Sequence, residues 1–172
     1  MNLQSNDFEL FAVPAQFAQD RAALDARWKE LQRQAHPDKF AAQGAAAQRL
    51  AMQWSVRINE AYQRLKNPLK RAGYLCELHG AAINAQINTA MPPEFLMQQM
   101  QWHEALDDAK TADEFDEIVA MAAKTMQTQL LKTQYLLDVE RNFPAAAQQV
   151  RGLMFAERFA KEVDARLDQL GQ

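Results

Sequence analysis

An all-α protein of two helical units is predicted, and three observations carry the prediction. The 172 residues contain only five glycines. Alanine and glutamine recur throughout, and both are compatible with helix. Apolar residues return at a 3.6-residue period instead of alternating as a half-buried strand would require.

The elements follow in chain order. A short first helix spans Asp7 to Ala12 and stops ahead of Pro14, because the residue before proline avoids helical geometry. A second is expected from Phe17 to Ala35, with Phe17, Leu24, Trp28, Leu31 and Ala35 in one narrow sector. Lys29 and Arg33 lie about 140–180° from Leu24 and so face solvent. The third, from Ala45 to Lys66, places Leu50, Trp54, Ile58, Ala61 and Leu65 on its core stripe and ends at Asn67-Pro68. Two such one-faced helices pack as an antiparallel hairpin, and the link between them, residues 36–44, is long and polar enough to carry a function. The shorter segment "LKRAGYLCELHG" closes on Gly80 as a C-terminal cap.

The stretch "AAINAQINTAMPP" has no periodicity and is taken as a linker, 77–92, between a first domain, 1–76, and a second, 93–172. A fifth helix opens at Pro93, where proline suits the first helical position, and runs to Asp108. Thr111 and Glu114 have capping-box spacing. They start a long helix with core positions Phe115, Val119, Ala122, Met126, Leu130, Thr133 and Leu137. After Asn142-Phe-Pro144 a last helix buries Leu153, Ala156, Ala160, Val163, Leu167 and Leu170. The second domain is therefore a three-helix bundle.

Bulk properties exclude several functions. No apolar run approaches the roughly 18 residues of a membrane span, and the N-terminus lacks a basic segment followed by an apolar one, so neither a membrane nor a secretory signal is expected. One cysteine, Cys76, excludes an internal disulfide and any CxxC site and fits a reducing cytoplasm. The net charge of −3 is unequally shared: residues 1–76 carry 11 Lys/Arg against 7 Asp/Glu, and residues 77–172 carry 8 against 15. Two surfaces with different partners are implied. Nucleic acid is not among them, because the basic excess is small and no aromatic residues alternate with it.

Catalytic motifs are absent: no GxxxxGK[ST], GxGxxG or HExxH occurs. His36, His79 and His103 fall in different elements. Cys76 and His79 have the spacing of two metal ligands, but no further ligands complete a set. A half-buried thiol and a helix-end imidazole complementing the macrodipole explain both. The chain is read as a non-enzyme that needs no cofactor.

His36-Pro37-Asp38 is different. As a plain turn, Pro37 ends a helix and Asp38 bonds its own backbone. Its place at the tip of a helical hairpin argues for more. The pattern "LQRQAHPDKF" followed by "INEAYQRLKNPLKRAGYL" resembles a J-domain, the module that activates DnaK-type chaperone ATPases. The glycine-phenylalanine linker and the CxxCxGxG region of general DnaJ proteins are missing. Instead "NPLKRAGYLCELHG" and "EFLMQQMQWHEALDD" resemble the HscB family, which serves iron–sulfur cluster biogenesis. That resemblance implies that Asp38 engages an arginine of an HscA/DnaK-type chaperone, that Pro37 stiffens the loop, and that His36 supports it and meets the partner. It further implies a basic face of Lys29, Arg33 and Lys39 for the chaperone's acidic surface; by themselves these residues read equally well as solvated.

The fifth helix has more apolar residues than one buried face needs. With Phe95 at the origin, Trp102 and Leu106 fall within about 20°, whereas Leu96, Met97, Met100 and Glu104 lie about 100–180° away. Periodicity alone leaves two readings, an interdomain core or an adaptable partner surface. Resemblance to HscB implies the second: Leu96, Met97, Met100, Glu104, Asp108 and Phe155 bind an iron–sulfur scaffold protein. Gln101 departs from the acidic residue that relatives often carry there, which weakens steering toward a basic surface. The expected role is a co-chaperone that stimulates the chaperone ATPase and delivers the scaffold to it. A J-protein for another client and a helical adaptor without catalysis are the alternatives.

Overall fold

In the computed structural model, which describes residues 2–171, the chain forms α1 (Asp7–Phe11), α2 (Arg21–Gln34), a 3-10 stretch (Pro37–Gln43), α3 (Ala45–Lys66), α4 (Pro68–Leu78), α5 (Pro93–Asp108), α6 (Ala112–Asp138) and α7 (Phe143–Leu170). No strand occurs among the described residues, so the protein is all-α as predicted. None of these helices is long and apolar enough to cross a membrane. Two compact units are present, Met1–Tyr74 and Leu75–Gln172.

In the first unit α2 and α3 form the expected hairpin around Leu24, Leu31, Ala51, Ile58 and Leu65. Trp28 stacks on Tyr62 with ring centroids 4.6 Å apart. Asp20 caps α2, its side chain accepting from the Ala22 amide, so the helix begins at Arg21 and not at Phe17. Phe17 is buried even so, beneath the Arg71 guanidinium. Leu50, expected in the core, is exposed. It lies about 80° from Ile58 on the helix, and the small Ala51, only about 20° away, takes the inward position.

α1 is pinned by a carboxylate. Asp7 is fully buried and lies 2.8 Å from Arg57 Nη1 and 2.6 Å from Arg64 Nε, while its amide donates to Tyr74 Oη at 3.0 Å. An isolated buried carboxylate is unfavourable; two guanidiniums from α3 make this one tolerable and fix α1 across the hairpin. The same carboxylate raises the Arg64 guanidinium further above its ordinary pKa, the hydrogen bond being the main cause.

The second unit is the predicted bundle of α5, α6 and α7. Thr111 and Glu114 form the expected capping box at the start of α6. Trp102 and Leu106 of α5, Phe115, Ile118 and Ala122 of α6, and Ala156, Phe159 and Val163 of α7 make the core. Ile118, not Val119, faces inward on α6, because the buried seam steps Phe115–Ile118–Ala122 in alternating threes and fours. Leu170, expected in the core, is exposed; the inward packing of α7 reaches Leu167, one turn earlier, which is partly buried against the core. Pairs 95–152, 102–159, 103–162 and 107–166 advance together, so α5 and α7 run parallel. Burial pushes the Cys76 thiol up to about 12.

Candidate functional site

The loop at the hairpin tip is built from its own backbone. His36 precedes proline and is extended, with φ −62° and ψ 126°, as that position demands. Pro37 then starts the 3-10 stretch, where its fixed φ is already suited to the turn. The Asp38 amide donates to His36 Nδ1 at 3.2 Å, and the Lys39 amide donates to the His36 carbonyl at 3.0 Å. The imidazole therefore acts as the cap of the turn, with its lone pair on Nδ1 directed back into the loop. Gly44 closes the connection at φ 99°, a left-handed conformation that strains any other residue.

The base of the loop is equally fixed. Ser55 Oγ donates to the Ala35 carbonyl at 3.2 Å, and Gln32 Nε2 donates to the Ser55 carbonyl at 3.1 Å, tying the end of α2 to α3. Beneath lie Leu31 and Ala35, both buried. On this platform the Asp38 side chain is 92% exposed, with Oδ2 3.7 Å from His36 Nδ1. Chemically, the tip is a stiff turn presenting a hydrated carboxylate. Lys29, Arg33 and Lys39 are exposed nearby in sequence. Arg33 is paired with Glu30 on its own helix, so its charge is shared and not fully available to a partner.

A second candidate surface lies on α5. Phe95, Trp102 and Leu106 point into the bundle, and Leu96, Met97 and Met100 are 56%, 61% and 74% exposed. Gln101, Glu104 and Asp108 are also exposed. Carboxylates near a helix C-terminus oppose its macrodipole, so Glu104 and Asp108 are not there to stabilise α5. Phe155 is half-buried on α7, one turn beyond the Gly152 on which Phe95 rests; with α5 and α7 parallel, it sits level with the first half of α5. Arg158 covers the Phe155 ring, its guanidinium carbon 5.4 Å from the centroid. Arg158 was not singled out from the sequence, where an exposed arginine on a helix has no distinguishing signal.

Elsewhere the chemistry is sparse. His79 is stacked on Phe143 at 3.8 Å, with Nδ1 2.9 Å from the Leu75 carbonyl and Nε2 3.3 Å from Arg141, whereas Cys76 is buried. The pair with ligand-like spacing therefore does not converge on a common point. Among the described residues no group of three or more His, Cys, Asp or Glu is arranged to hold a metal ion.

Comparisons with known proteins agree on one family. A family model described as the HSCB C-terminal oligomerisation domain matches residues 91–164. A co-chaperone protein HscB homolog of Burkholderia multivorans is 49% identical, the alignment covering 99% of this chain and 98% of the relative. Its counterpart in Burkholderia vietnamiensis is 47% identical over the same shares. Among solved structures, the chaperone HscB from Vibrio cholerae superimposes with a TM-score of 0.83 at 35% identity, covering 96% of this chain and 99% of that one. Human co-chaperone protein HscB shares the fold, with a TM-score of 0.89 at 23% identity over 96% and 84% of the two chains.

Proposed function

Because the chain belongs to the HscB co-chaperone family, we propose that it stimulates the ATPase of an HscA/DnaK-type chaperone and brings an iron–sulfur scaffold protein to it. The observation that carries this reading is the Asp38 carboxylate, 92% exposed at the end of a loop stiffened from within. A charge-assisted hydrogen bond from a chaperone arginine to that carboxylate is worth about 1.5–3 kcal/mol. The loop is already ordered, so little conformational entropy opposes docking. His36 acts mainly as the internal brace, Pro37 holds the turn, and Lys29 and Lys39, with a smaller contribution from the paired Arg33, supply the surrounding positive field.

The scaffold is held by Leu96, Met97 and Met100 with Phe155 alongside. Unbranched, polarisable methionines suit an apolar contact that has to adapt. Glu104 and Asp108 rim the patch and draw a basic scaffold surface, and Gln101 adds no charge to that rim. The chain performs no turnover of its own and takes no cofactor; it acts as an adaptor with a separate surface for each partner. Asp38→Ala tests the first surface: chaperone ATPase stimulation is lost while scaffold affinity stays at the parent value. Retained stimulation removes the proposal.

Self-association is a second reading for the C-terminal unit, favoured by the name of its matched family model and by exposed Leu131 and Tyr135 in successive turns of α6, with exposed Val139 as its C-cap. Sedimentation across a concentration series separates the two, because the scaffold-binding reading needs only a monomer.

A further inference from the structure

Arg151 lies on the inward side of α7, buried, and each of its three guanidinium nitrogens donates to a backbone carbonyl. Nε donates to Ile83 at 2.9 Å, Nη2 to Ala82 at 3.0 Å and Nη1 to Ala90 at 3.1 Å. Those carbonyls stand at both feet of the segment that enters α5. Between the feet the backbone turns on itself: Asn84 is left-handed at φ 46°, and the Ile87 and Asn88 amides donate to its carbonyl. A planar guanidinium holds its donors on three separate nitrogens in a fixed fork, so it reaches carbonyls that stand apart from one another at once, whereas the three donors of an ammonium all leave one atom.

The next residue, Gly152, serves the same helix. A Cβ there would stand 2.4–2.6 Å from three ring carbons of Phe95, so only glycine admits that ring. Phe95 belongs to the first turn of α5 and is followed at once by Leu96 and Met97. One step of α7 thus grips the segment before α5, and the following step seats its first aromatic ring.

We propose that Arg151 and Gly152 are positioning residues that fix the register of α5 on α7, and thereby set Leu96, Met97 and Met100 level with Phe155 as one composite face. The inference rests on the scaffold-binding reading of that face. Neither residue touches the scaffold. They act by preorganisation, so their loss appears as ordering cost on binding.

Arg151→Lys keeps the charge but offers a single ammonium, which cannot span carbonyls at both feet. Hydrogen exchange of residues 82–96 accelerates about tenfold or more in this variant. Affinity for the iron–sulfur scaffold weakens by about tenfold, and chaperone stimulation measured without scaffold is unchanged. Gly152→Ala weakens scaffold binding similarly, and adding Phe95→Leu, which vacates the space the new methyl requires, restores most of it. Parent-like exchange in Arg151→Lys overturns the clamp. Accelerated exchange with parent-like scaffold affinity overturns the positioning role, as does absence of rescue in the double variant. Loss of cooperative melting of the whole C-terminal unit in Arg151→Lys also overturns it, making the residue a general determinant of folding. If the parent chain itself fails to bind the scaffold, the scaffold reading falls, and the exchange data still decide the clamp.

Discussion

Replacing Leu96, Met97 and Met100 together by alanine is the sharpest probe of the proposed scaffold-binding surface. Their exposures of 56%, 61% and 74% amount to about two whole apolar side chains left in water. Covering that much surface is worth about 3–6 kcal/mol gross at the usual cost per buried side chain. Alanine retains a Cβ, roughly a third of the contact, so the triple variant forfeits about 2–4 kcal/mol of it. At 1.4 kcal/mol per decade this corresponds to scaffold binding weakened by about 30- to 700-fold. The three positions are exposed on a helix and alanine is the best helix former, so the fold is not the casualty. Phe155 is left in place because it is half-buried and its truncation would add a cavity. Titration calorimetry with purified scaffold reads the affinity, and chaperone stimulation in the absence of scaffold serves as the internal control. A change of less than about threefold, under 0.7 kcal/mol, would refute the assignment of this face.

Other expectations are narrower. Asp7→Ala strands the Arg57 and Arg64 guanidiniums and destabilises the N-terminal unit by about 3 kcal/mol, near the lower bound for breaking a buried pair because Arg64 is partly hydrated. Urea unfolding followed through hydrogen exchange of α1 and α3 measures it, and a loss below about 1 kcal/mol contradicts the pinning role. The Cys76 thiol, raised to about 12 from 9.0, is neutral in the native state. Its contribution to stability is complete below pH 9 and is lost as pH rises toward 12, so Cys76→Ala flattens the alkaline limb of the stability profile. In the native protein Cys76 also resists alkylation at pH 8 and reacts only on unfolding. Raising salt from low to physiological strength slows association with the chaperone, through Lys29 and Lys39, more than it speeds dissociation.

Much of this was legible in the sequence, for reasons that can be named. The ends of the helices are written in local chemistry: Pro68, Pro93, the Thr111–Glu114 box and Asn142 each act within a turn of themselves, and the helices begin and end close to them. The His36-Pro37-Asp38 tip is local in the same way, because proline and a capping imidazole shape the turn itself, and only its base is tied to the distant Ser55 of α3. Core membership is less local. A wheel at 100° per residue put Leu50, Val119 and Leu170 inside, and the structure puts Ala51 and Ile118 there instead and leaves Leu170 exposed, one turn past the partly buried Leu167. Phe159, fully buried, was missed for the same reason of phase.

Buried charge is the class of feature that periodicity misreads most thoroughly. Asp7 and Arg151 look like surface residues until their partners are known, and those partners lie far away in sequence, Arg57 and Arg64 for the first and the 82–90 segment for the second. Gly152 carried a faint signal, a glycine in mid-helix, whose cause became visible only when Phe95 was placed against it. The segment 77–92, read as a linker for want of periodicity, belongs with the C-terminal unit and is held there by Arg151. The candidate site divides along the same line: its tip is largely local chemistry, whereas the register of the exposed α5 face depends on contacts between helices.

The central claim is that a single molecule holds both partners at once, so that the second encounter is intramolecular. The direct test fixes the chaperone and scaffold concentrations and raises this protein from below to well above both. Bridging predicts that the scaffold-dependent increment in ATP turnover climbs, peaks and then declines, as excess protein occupies chaperone and scaffold separately. An increment that rises to a plateau and stays there contradicts the account.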